Sequence, residues 1–243
     1  LTARAVSRRQ WVSLPILAAL LTATRYEGIF LAFAACLLFL RQRNIGAAAA
    51  IGTAAWTPII LYAIVSMQQG WFPFPNSVLL KGNLPDGRSL GTVADFFLDG
   101  ARTLWRSPHL VAVLTAAIGT LVLARGRGNR GGTHLIFLFL ITLTLHVLFA
   151  DTGWFFRYEA YLVVFGIAAT GACTAALSQR IATKRAAFAA ALAASFLAIP
   201  LLVRGAYAVT RTPIAMRDIG QHYGNLGHFL ARYYNGRSVA ATS

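Results

Sequence analysis

The chain has little charge for its length and very few acidic residues. Of its 243 residues, 12% are charged and 57% are hydrophobic, and seven acidic residues stand against 22 basic ones. A soluble domain of this length needs far more charge to cover its surface, so the composition predicts an integral membrane protein. The net charge of +15 does not indicate nucleic-acid binding, because the basic residues lie in short clusters between long apolar runs.

Residues that hold metals or build common soluble active sites are also scarce. Cys36 and Cys173 both lie in apolar runs without a partner at metal-ligand spacing, which is typical of buried thiols that pack as small hydrophobic groups. His222 and His228 do not share a helix face well, so they predict no metal site. His146 lies inside an apolar segment, and we interpret it as a hydrogen-bonded packing residue and not as a ligand. The sequence has no Gly-rich phosphate loop after a strand, no Ser/His/Asp set and no CxxC motif, so it does not support a soluble nucleotide-sugar site. It predicts no cofactor and leaves a divalent metal open.

Five apolar segments reach or approach the roughly 17–25 residues that a helix needs to cross a bilayer. They are residues 45–67, 109–124, 134–150, 161–178 and 186–203. Basic clusters follow the second segment (Arg125, Arg127, Arg130) and the fourth (Arg180, Lys184, Arg185). The positive-inside rule makes both loops cytoplasmic. Residues 68–108, residues 151–160 and the tail after Val203 then lie outside, at the plasma membrane.

The N-terminal region predicts a short helical hairpin. Apolar runs at 11–24 and 29–40 flank the turn Arg25-Tyr26-Glu27-Gly28, which we call the RYEG turn. Each run rises only about 20 Å at about 1.5 Å per residue, which is less than the roughly 30 Å hydrocarbon core. Charges in or just under the outer interface are functional candidates. The alternative is a structural Arg25–Glu27 ion pair, with Gly28 permitting the backbone of the turn.

The predicted outer segments contain all seven acidic residues, if the outer end of the hairpin is included (Glu27, Asp86, Asp95, Asp99, Asp151, Glu159, Asp218). Residues 90–106 have the period of an amphipathic helix lying in the membrane plane, on which Asp95 and Asp99 pair with Arg102 and with solvent. Residues 151–161 place charged groups among five aromatic rings. That pattern fits a sugar site or an ordinary interfacial loop.

The fold class predicted is therefore all-α integral membrane, a multi-pass helical bundle with an N-terminal hairpin and an amphipathic interfacial helix. We expect three regions: a hairpin at 1–44, a five-span bundle at 45–203 with the outer loop 68–108, and a truncated extracytoplasmic domain starting at 204–243. Thr212-Pro213 predicts a helix start in the tail, and the residues from Ser238 have the pattern of a strand. Since the chain begins with Leu1 and shows no cleavable signal sequence, we expect an internal fragment of a longer protein.

Several short motifs, in order along the chain, resemble a family. The RYEG turn resembles the Arg-Pro-Glu-Gly element of bacterial GT-C glycosyltransferases, in particular the actinobacterial arabinofuranosyltransferase-like proteins. Pro75-Asn76-Ser77 followed by Lys81 is similar to their Pro-Asn-Thr-x-x-x-Lys loop, Asp151 with Arg157-Tyr158 to their Gly-Asp…Arg-(Phe/Tyr) segment, and the Phe229-Leu-Ala-Arg-Tyr-Tyr helix to the one that opens their outer domain. The chain departs from the family at Tyr26 for proline, Ser77 for threonine and Ala150 for glycine.

This resemblance implies an inverting transferase that takes sugar from a polyprenyl-phosphate donor to a cell-envelope glycan at the outer membrane face. Arg25, Lys81 and Arg157 would bind the donor phosphate, while Glu27 and Asp151 would hold sugar hydroxyls or orient these cations. Asn76, Tyr158 and Glu159 complete the implied donor or substrate site, and the groups should border one outer cavity. The family's acidic base lies on the first outer loop, upstream of Leu1, so the catalytic residue is unknown and this chain alone is not expected to transfer sugar.

Two other functions fit the same residues. In a transporter or flippase, Arg25 and Glu27 would line a pathway, although the charges lie mostly on outer connections. The chain could also belong to a non-catalytic membrane assembly subunit. The lipid bilayer is a partner in all three cases, and nucleic acid is in none.

The predicted orientation can be tested by cysteine labelling in intact cells, with both native cysteines replaced. Single cysteines at Gly128 and Thr183 should be shielded from a membrane-impermeant thiol reagent, because the arginine clusters hold these loops inside. Cysteines at Gly91 and Gly224 should react. Labelling of Gly128 from outside would overturn the orientation.

Overall fold

A computed structural model of the chain describes residues 8–75, 90–125, 130–152, 158–178 and 184–234. These residues form eight helices and no strand. The helices are α1 (Arg8–Thr24), α2 (Gly28–Arg41), α3 (Ile45–Gln68), α4 (Leu90–Trp105), α5 (Pro108–Ala124), α6 (Arg130–Phe149), α7 (Ala160–Ser178) and α8 (Lys184–Tyr233). The predicted all-α class is confirmed for this part of the chain. The predicted strand at Ser238, together with Asn76, Lys81 and Arg157, lies outside the described residues.

Helix α2 connects two groups of helices. It packs with α1 and α3 on one side and with α6 on the other, and α6 in turn packs with α5 and α7. Phe30 near the start of α2 lies beside His146 near the end of α6, whereas Arg41 at the end of α2 lies over Phe137 near the start of α6. Helices α2 and α6 therefore run in opposite directions, and α2 carries contacts between the two groups along its length.

The two groups have different cores. Between α1, α2 and α3 the buried core consists mainly of small side chains, Ala18, Ala32 and Ala55, together with the larger Ile51. Small residues let helix backbones approach closely, as is typical of helices that pack in lipid. Between α5, α6 and α7 the buried side chains are larger, and they include Leu110, Ile136, Phe139 and Leu162.

Helix α4 lies across one end of the second group. It is bent by 93° relative to α5, and it contacts α5 and α6. The ring of Phe96 lies 5.3 Å from that of Phe149 at the end of α6. On the polar side Arg102 donates to Asp99 at 2.7 Å, which confirms the predicted pairing of Asp99. The predicted amphipathic helix at 90–106 thus exists, and it meets the bundle where α6 ends.

Within the described ranges, three helices are long and apolar enough to cross a membrane: Ile45–Gln68, Gly131–Phe149 and Ala160–Leu177. The bent pair of α4 and α5 makes a fourth candidate if it is counted as one span. Helices α1 and α2 are shorter and apolar, as the hairpin prediction required. Large apolar side chains remain exposed on the outside of α3, among them Leu61 and Val65. Surfaces of this kind mark contact with lipid or with another protein.

The tail differs from its prediction. The segment 186–203 and the tail helix predicted to start at Thr212-Pro213 both fall within α8, a single helix of 50 residues with Pro200 and Pro213 inside it. A proline removes one backbone hydrogen bond and often bends a helix without ending it, so the separate helix start is wrong. The chain divides into two compact units, Leu1–Ala198 and Ile199–Ser243, a few residues before the predicted domain boundary. In the second unit Tyr223, Phe229 and Tyr233 are exposed.

Gly166 on α7 lies where this helix packs closely against α5 and α6. A Cβ atom at Gly166 would lie 2.7 Å from Cε2 of Phe139 on α6, and it would also clash with Val113 on α5. Gly166→Ala should therefore destabilise the fold by about 1–3 kcal/mol, since overpacking forces neighbours out of place. Gly171→Ala is the matched control on the same helix, because it meets nothing within 4 Å. Thermal unfolding in detergent should show a lower midpoint for Gly166→Ala than for the wild type and for Gly171→Ala. Equal midpoints for the two variants would contradict this packing.

Candidate functional site

The RYEG turn is a tight connection between α1 and α2. The amide of Arg25 donates to the carbonyl of Leu21 at 3.1 Å, and the amide of Gly28 donates to the carbonyl of Arg25 at 2.9 Å. A Cβ atom at Gly28 would lie 2.7 Å from the Leu21 carbonyl oxygen. Glycine is needed here for close approach and not for an unusual backbone angle, because Gly28 lacks a positive φ. The turn therefore holds its two charged side chains on a rigid backbone.

Arg25 joins this turn to the start of α7. Its guanidinium pairs with Glu27 at 3.1 Å, and the same nitrogen donates to the Tyr158 carbonyl at 3.4 Å across a separation of 133 positions. Its Cζ atom lies 5.5 Å from the ring centroid of Tyr161, which is a cation–π distance. The Arg25 side chain keeps 34% of its surface exposed. It is thus an oriented cation at the end of an apolar bundle.

Tyr161 is held from the other side by His146. The Tyr161 hydroxyl lies 3.0 Å from Nδ1 of His146, and the two rings contact each other edge to face at 5.4 Å. His146 is fully buried, and its Nε2 has no hydrogen-bond partner among the described residues. The sequence-based interpretation of His146 as a hydrogen-bonded residue inside a helix is confirmed, but packing alone leaves one of its ring nitrogens unexplained. A buried polar atom without a partner costs about 1–3 kcal/mol.

Glu159 is buried next to this group. Its carboxylate lies 3.4 Å from Nε2 of His109 near the start of α5, and both side chains are almost completely removed from solvent. The contact is an ion pair when His109 is protonated. This contact connects the start of α7 to the start of α5, next to the bend between α4 and α5. It thereby fixes the neighbouring Tyr158 carbonyl, which accepts a hydrogen bond from Arg25.

Burial raises the pKa of the Glu27 carboxyl, but the hydrogen bond and the charge of Arg25 oppose this effect, and the net pKa lies below its usual 4.5. Glu27 is therefore ionised at neutral pH. An ionised carboxylate beside a guanidinium is a weak base. Its arrangement suits Glu27 to orienting Arg25 or accepting from a hydroxyl group, and not to taking a proton.

The predicted site residues are brought together in part. Arg25, Glu27, Tyr158 and Glu159 gather at one end of the first unit, which we call the RYEG end. Asp151 is exposed directly after α6 at the same end. Tyr26 packs its ring edge to face against Tyr62 on α3, with 6.3 Å between the ring centroids.

The charged residues of this unit divide between the two ends of its helices. Arg41 and Arg43 end α2 at the opposite end of the bundle, and Arg125 follows the end of α5 there. The acidic residues that the structure describes in this unit lie at the RYEG end or on α4, which packs against it. Among the side chains that the structure describes in this unit, the charged ones are all basic at one end and of both signs at the other.

Sequence reasoning missed three contributors to the site: His109, His146 and Tyr161. His146 was noted only as a packing residue, and His109 and Tyr161 only as the first residues of predicted spans. Their positions at the ends of apolar segments were the available signal, because a polar ring just inside a span faces either the interface or another polar group. Among the described residues, no group of three or more His, Cys, Asp or Glu side chains is placed to hold a metal ion.

The Arg25–Glu27 pair should contribute to stability in a pH-dependent way. Since the folded pKa of Glu27 is lowered, the stabilisation is present above its unfolded pKa of about 4.5 and is lost as the pH falls through the folded value. Glu27→Gln should cost about 1 kcal/mol at neutral pH. Its difference from the wild type should disappear at low pH.

The measurement is the unfolding midpoint in detergent between pH 7 and pH 3. Asp99→Asn is the control, because the Asp99–Arg102 pair is 67% and 63% exposed and is screened by solvent. This variant should follow the wild type closely. A constant gap between Glu27→Gln and the wild type over the whole range would show that the Glu27 charge is not responsible.

Comparisons of the chain with protein-family models, with curated proteins and with solved structures find no match.

Proposed function

We propose that this chain is part of a multi-pass membrane glycosyltransferase of the GT-C type. In this proposal the enzyme takes sugar from a polyprenyl-phosphate donor and passes it, with inversion, to a cell-envelope glycan at the outer face of the plasma membrane. The observation that carries the proposal is the fixed Arg25 guanidinium. A planar cation that is bound on one side by a carboxylate, a carbonyl and an aromatic ring, and open to solvent on another, is suited to a phosphate oxygen.

The position of Arg25 fits a lipid-linked substrate. The turn that carries it joins two short apolar helices, and α4 lies across the same end of the bundle with its apolar residues Phe97 and Trp105 exposed. If the apolar helices span the bilayer, this end lies at an interface, and α4 lies in the membrane plane. A polyprenyl tail in the bilayer then places its phosphate at the depth of Arg25.

The acceptor and the donor each undergo one change in the proposed reaction. The acceptor hydroxyl loses its proton to a carboxylate base and attacks the anomeric carbon, while the bond from that carbon to the phosphate oxygen breaks. Cations at the phosphate stabilise the negative charge that the leaving group acquires. We assign Arg25 to this role, with Lys81 and Arg157 as further phosphate cations. Glu27 keeps Arg25 in place and can accept from a sugar hydroxyl.

Phosphate recognition is tested by binding of decaprenyl phosphate and decaprenol to the chain in zwitterionic nanodiscs. The wild type should bind the phosphate more tightly than the alcohol. Arg25→Gln should weaken phosphate binding by about 10–100-fold, which corresponds to about 1.5–3 kcal/mol for a hydrogen bond to a charged group, and should leave decaprenol binding unchanged.

Arg41→Gln is the matched control. Arg41 is also an exposed arginine near an aromatic ring, with Cζ 5.9 Å from the Phe137 centroid, but it lies at the opposite end of the bundle. Loss of phosphate affinity in Arg41→Gln but not in Arg25→Gln would place the lipid site at the wrong end and contradict the proposal. Equal wild-type affinity for the phosphate and the alcohol would do so as well.

A further inference from the structure

Arg25 rests on an aromatic ring whose orientation is itself fixed. The guanidinium Cζ lies 5.5 Å from the Tyr161 centroid, and the Tyr161 hydroxyl lies 3.0 Å from Nδ1 of His146. A tyrosine ring that is held at its hydroxyl has little freedom to rotate or tilt, so it presents one face at a defined place. His146 thereby fixes the surface on which the cation lies.

The hydrogen bond also affects the strength of the cation–π contact. When the neutral imidazole carries its proton on Nε2, the Tyr161 hydroxyl donates to Nδ1. Donation increases the electron density on the phenol oxygen and in the ring. A more electron-rich ring attracts the guanidinium more strongly. Thus His146 contributes to holding Arg25 without touching it.

Core packing does not account for a histidine at this position. His146 is fully buried on α6, with the Phe30 ring 6.3 Å away and with no hydrogen-bond partner for Nε2 in the described part of the chain. An apolar side chain of similar size would fill the space without leaving a polar atom unsatisfied. The remaining contact that uses the polarity of the imidazole is the one from Nδ1 to Tyr161.

We propose that His146 and Tyr161 are positioning residues that hold Arg25 in the geometry in which it binds the phosphate of a lipid-linked sugar. This inference rests on the function proposed above. His146 is buried and does not meet the substrate, whereas Arg25 is one-third exposed and does. The effect of both residues is transmitted through the guanidinium. Removing either should therefore weaken the phosphate-dependent part of binding and leave the lipid-tail part intact.

The test measures dissociation constants for decaprenyl phosphate and decaprenol in zwitterionic nanodiscs. Tyr161→Phe keeps the ring and loses the hydroxyl, so phosphate affinity should fall by about 3-fold, and Tyr161→Leu should lower it by about 10-fold. His146→Leu should resemble Tyr161→Phe. His146→Asn places an amide near the position of Nδ1 and should restore affinity to near the wild-type value. Decaprenol affinity should be unchanged in all four variants.

A double-mutant cycle separates positioning from general damage to the fold. In an Arg25→Gln background, Tyr161→Phe and Tyr161→Leu should cause no further loss of phosphate affinity, because their effect requires the guanidinium. Additive losses in that background would overturn the inference, and so would unchanged phosphate affinity in both Tyr161 variants while the wild type prefers phosphate. A wild type without any preference for phosphate would overturn the proposed function, and this inference with it. Thermal unfolding identifies variants that fail to fold, and the Tyr161→Phe and His146→Asn comparisons remain if a leucine variant is lost.

Discussion

A guanidinium group at the end of an apolar helical bundle has to be compensated before the bundle can fold around it. A charge that is partly buried among apolar helices costs free energy unless it is paired, hydrogen-bonded or in contact with water. Arg25 meets this requirement in several ways at once, through the Glu27 carboxylate, the Tyr158 carbonyl and the Tyr161 ring. These partners come from two distant parts of the chain. Compensation of one charge therefore also fixes the hairpin against the start of α7.

The position of α2 follows from the same requirement. Because α2 leaves the RYEG turn directly, the turn can reach α7 only if α2 packs against the second group of helices, and it does so along α6. Gly28 allows the hairpin to close tightly, since any Cβ atom there would meet the Leu21 carbonyl. Close packing and charge compensation support each other here. The Arg25 contacts require a tight turn, and the tight turn is stable because its charges are paired.

Much of the architecture could be predicted from hydropathy and spacing, because both depend on local sequence. The hairpin, the amphipathic helix at 90–106 and the first four apolar segments appear in the structure close to their predicted bounds. The Arg25–Glu27 pair could also be predicted, since its members are two positions apart on one turn. The continuation of α8 through Pro200 and Pro213 could not, because a proline's effect depends on whether the surrounding helix tolerates a bend. The same holds for three residues of the site, because only folding brings the start of α5, the end of α6 and the start of α7 together. These residues are His109, His146 and Tyr161.

The same geometry explains why position 25 holds arginine and not lysine. A lysine at position 25 would have a compact ammonium group that is strongly hydrated, and it could not lie flat on Tyr161 while donating to both a carboxylate and a carbonyl. Arginine has a planar group with several N–H donors in a fixed fork, so it can contact three partners and still present part of its surface to a ligand. The structure uses this property: Glu27, Tyr158 and Tyr161 contact the group, and about one third of the side chain is exposed. A position that needed charge alone would accept lysine, whereas a position that has to hold that charge in one orientation requires the guanidinium.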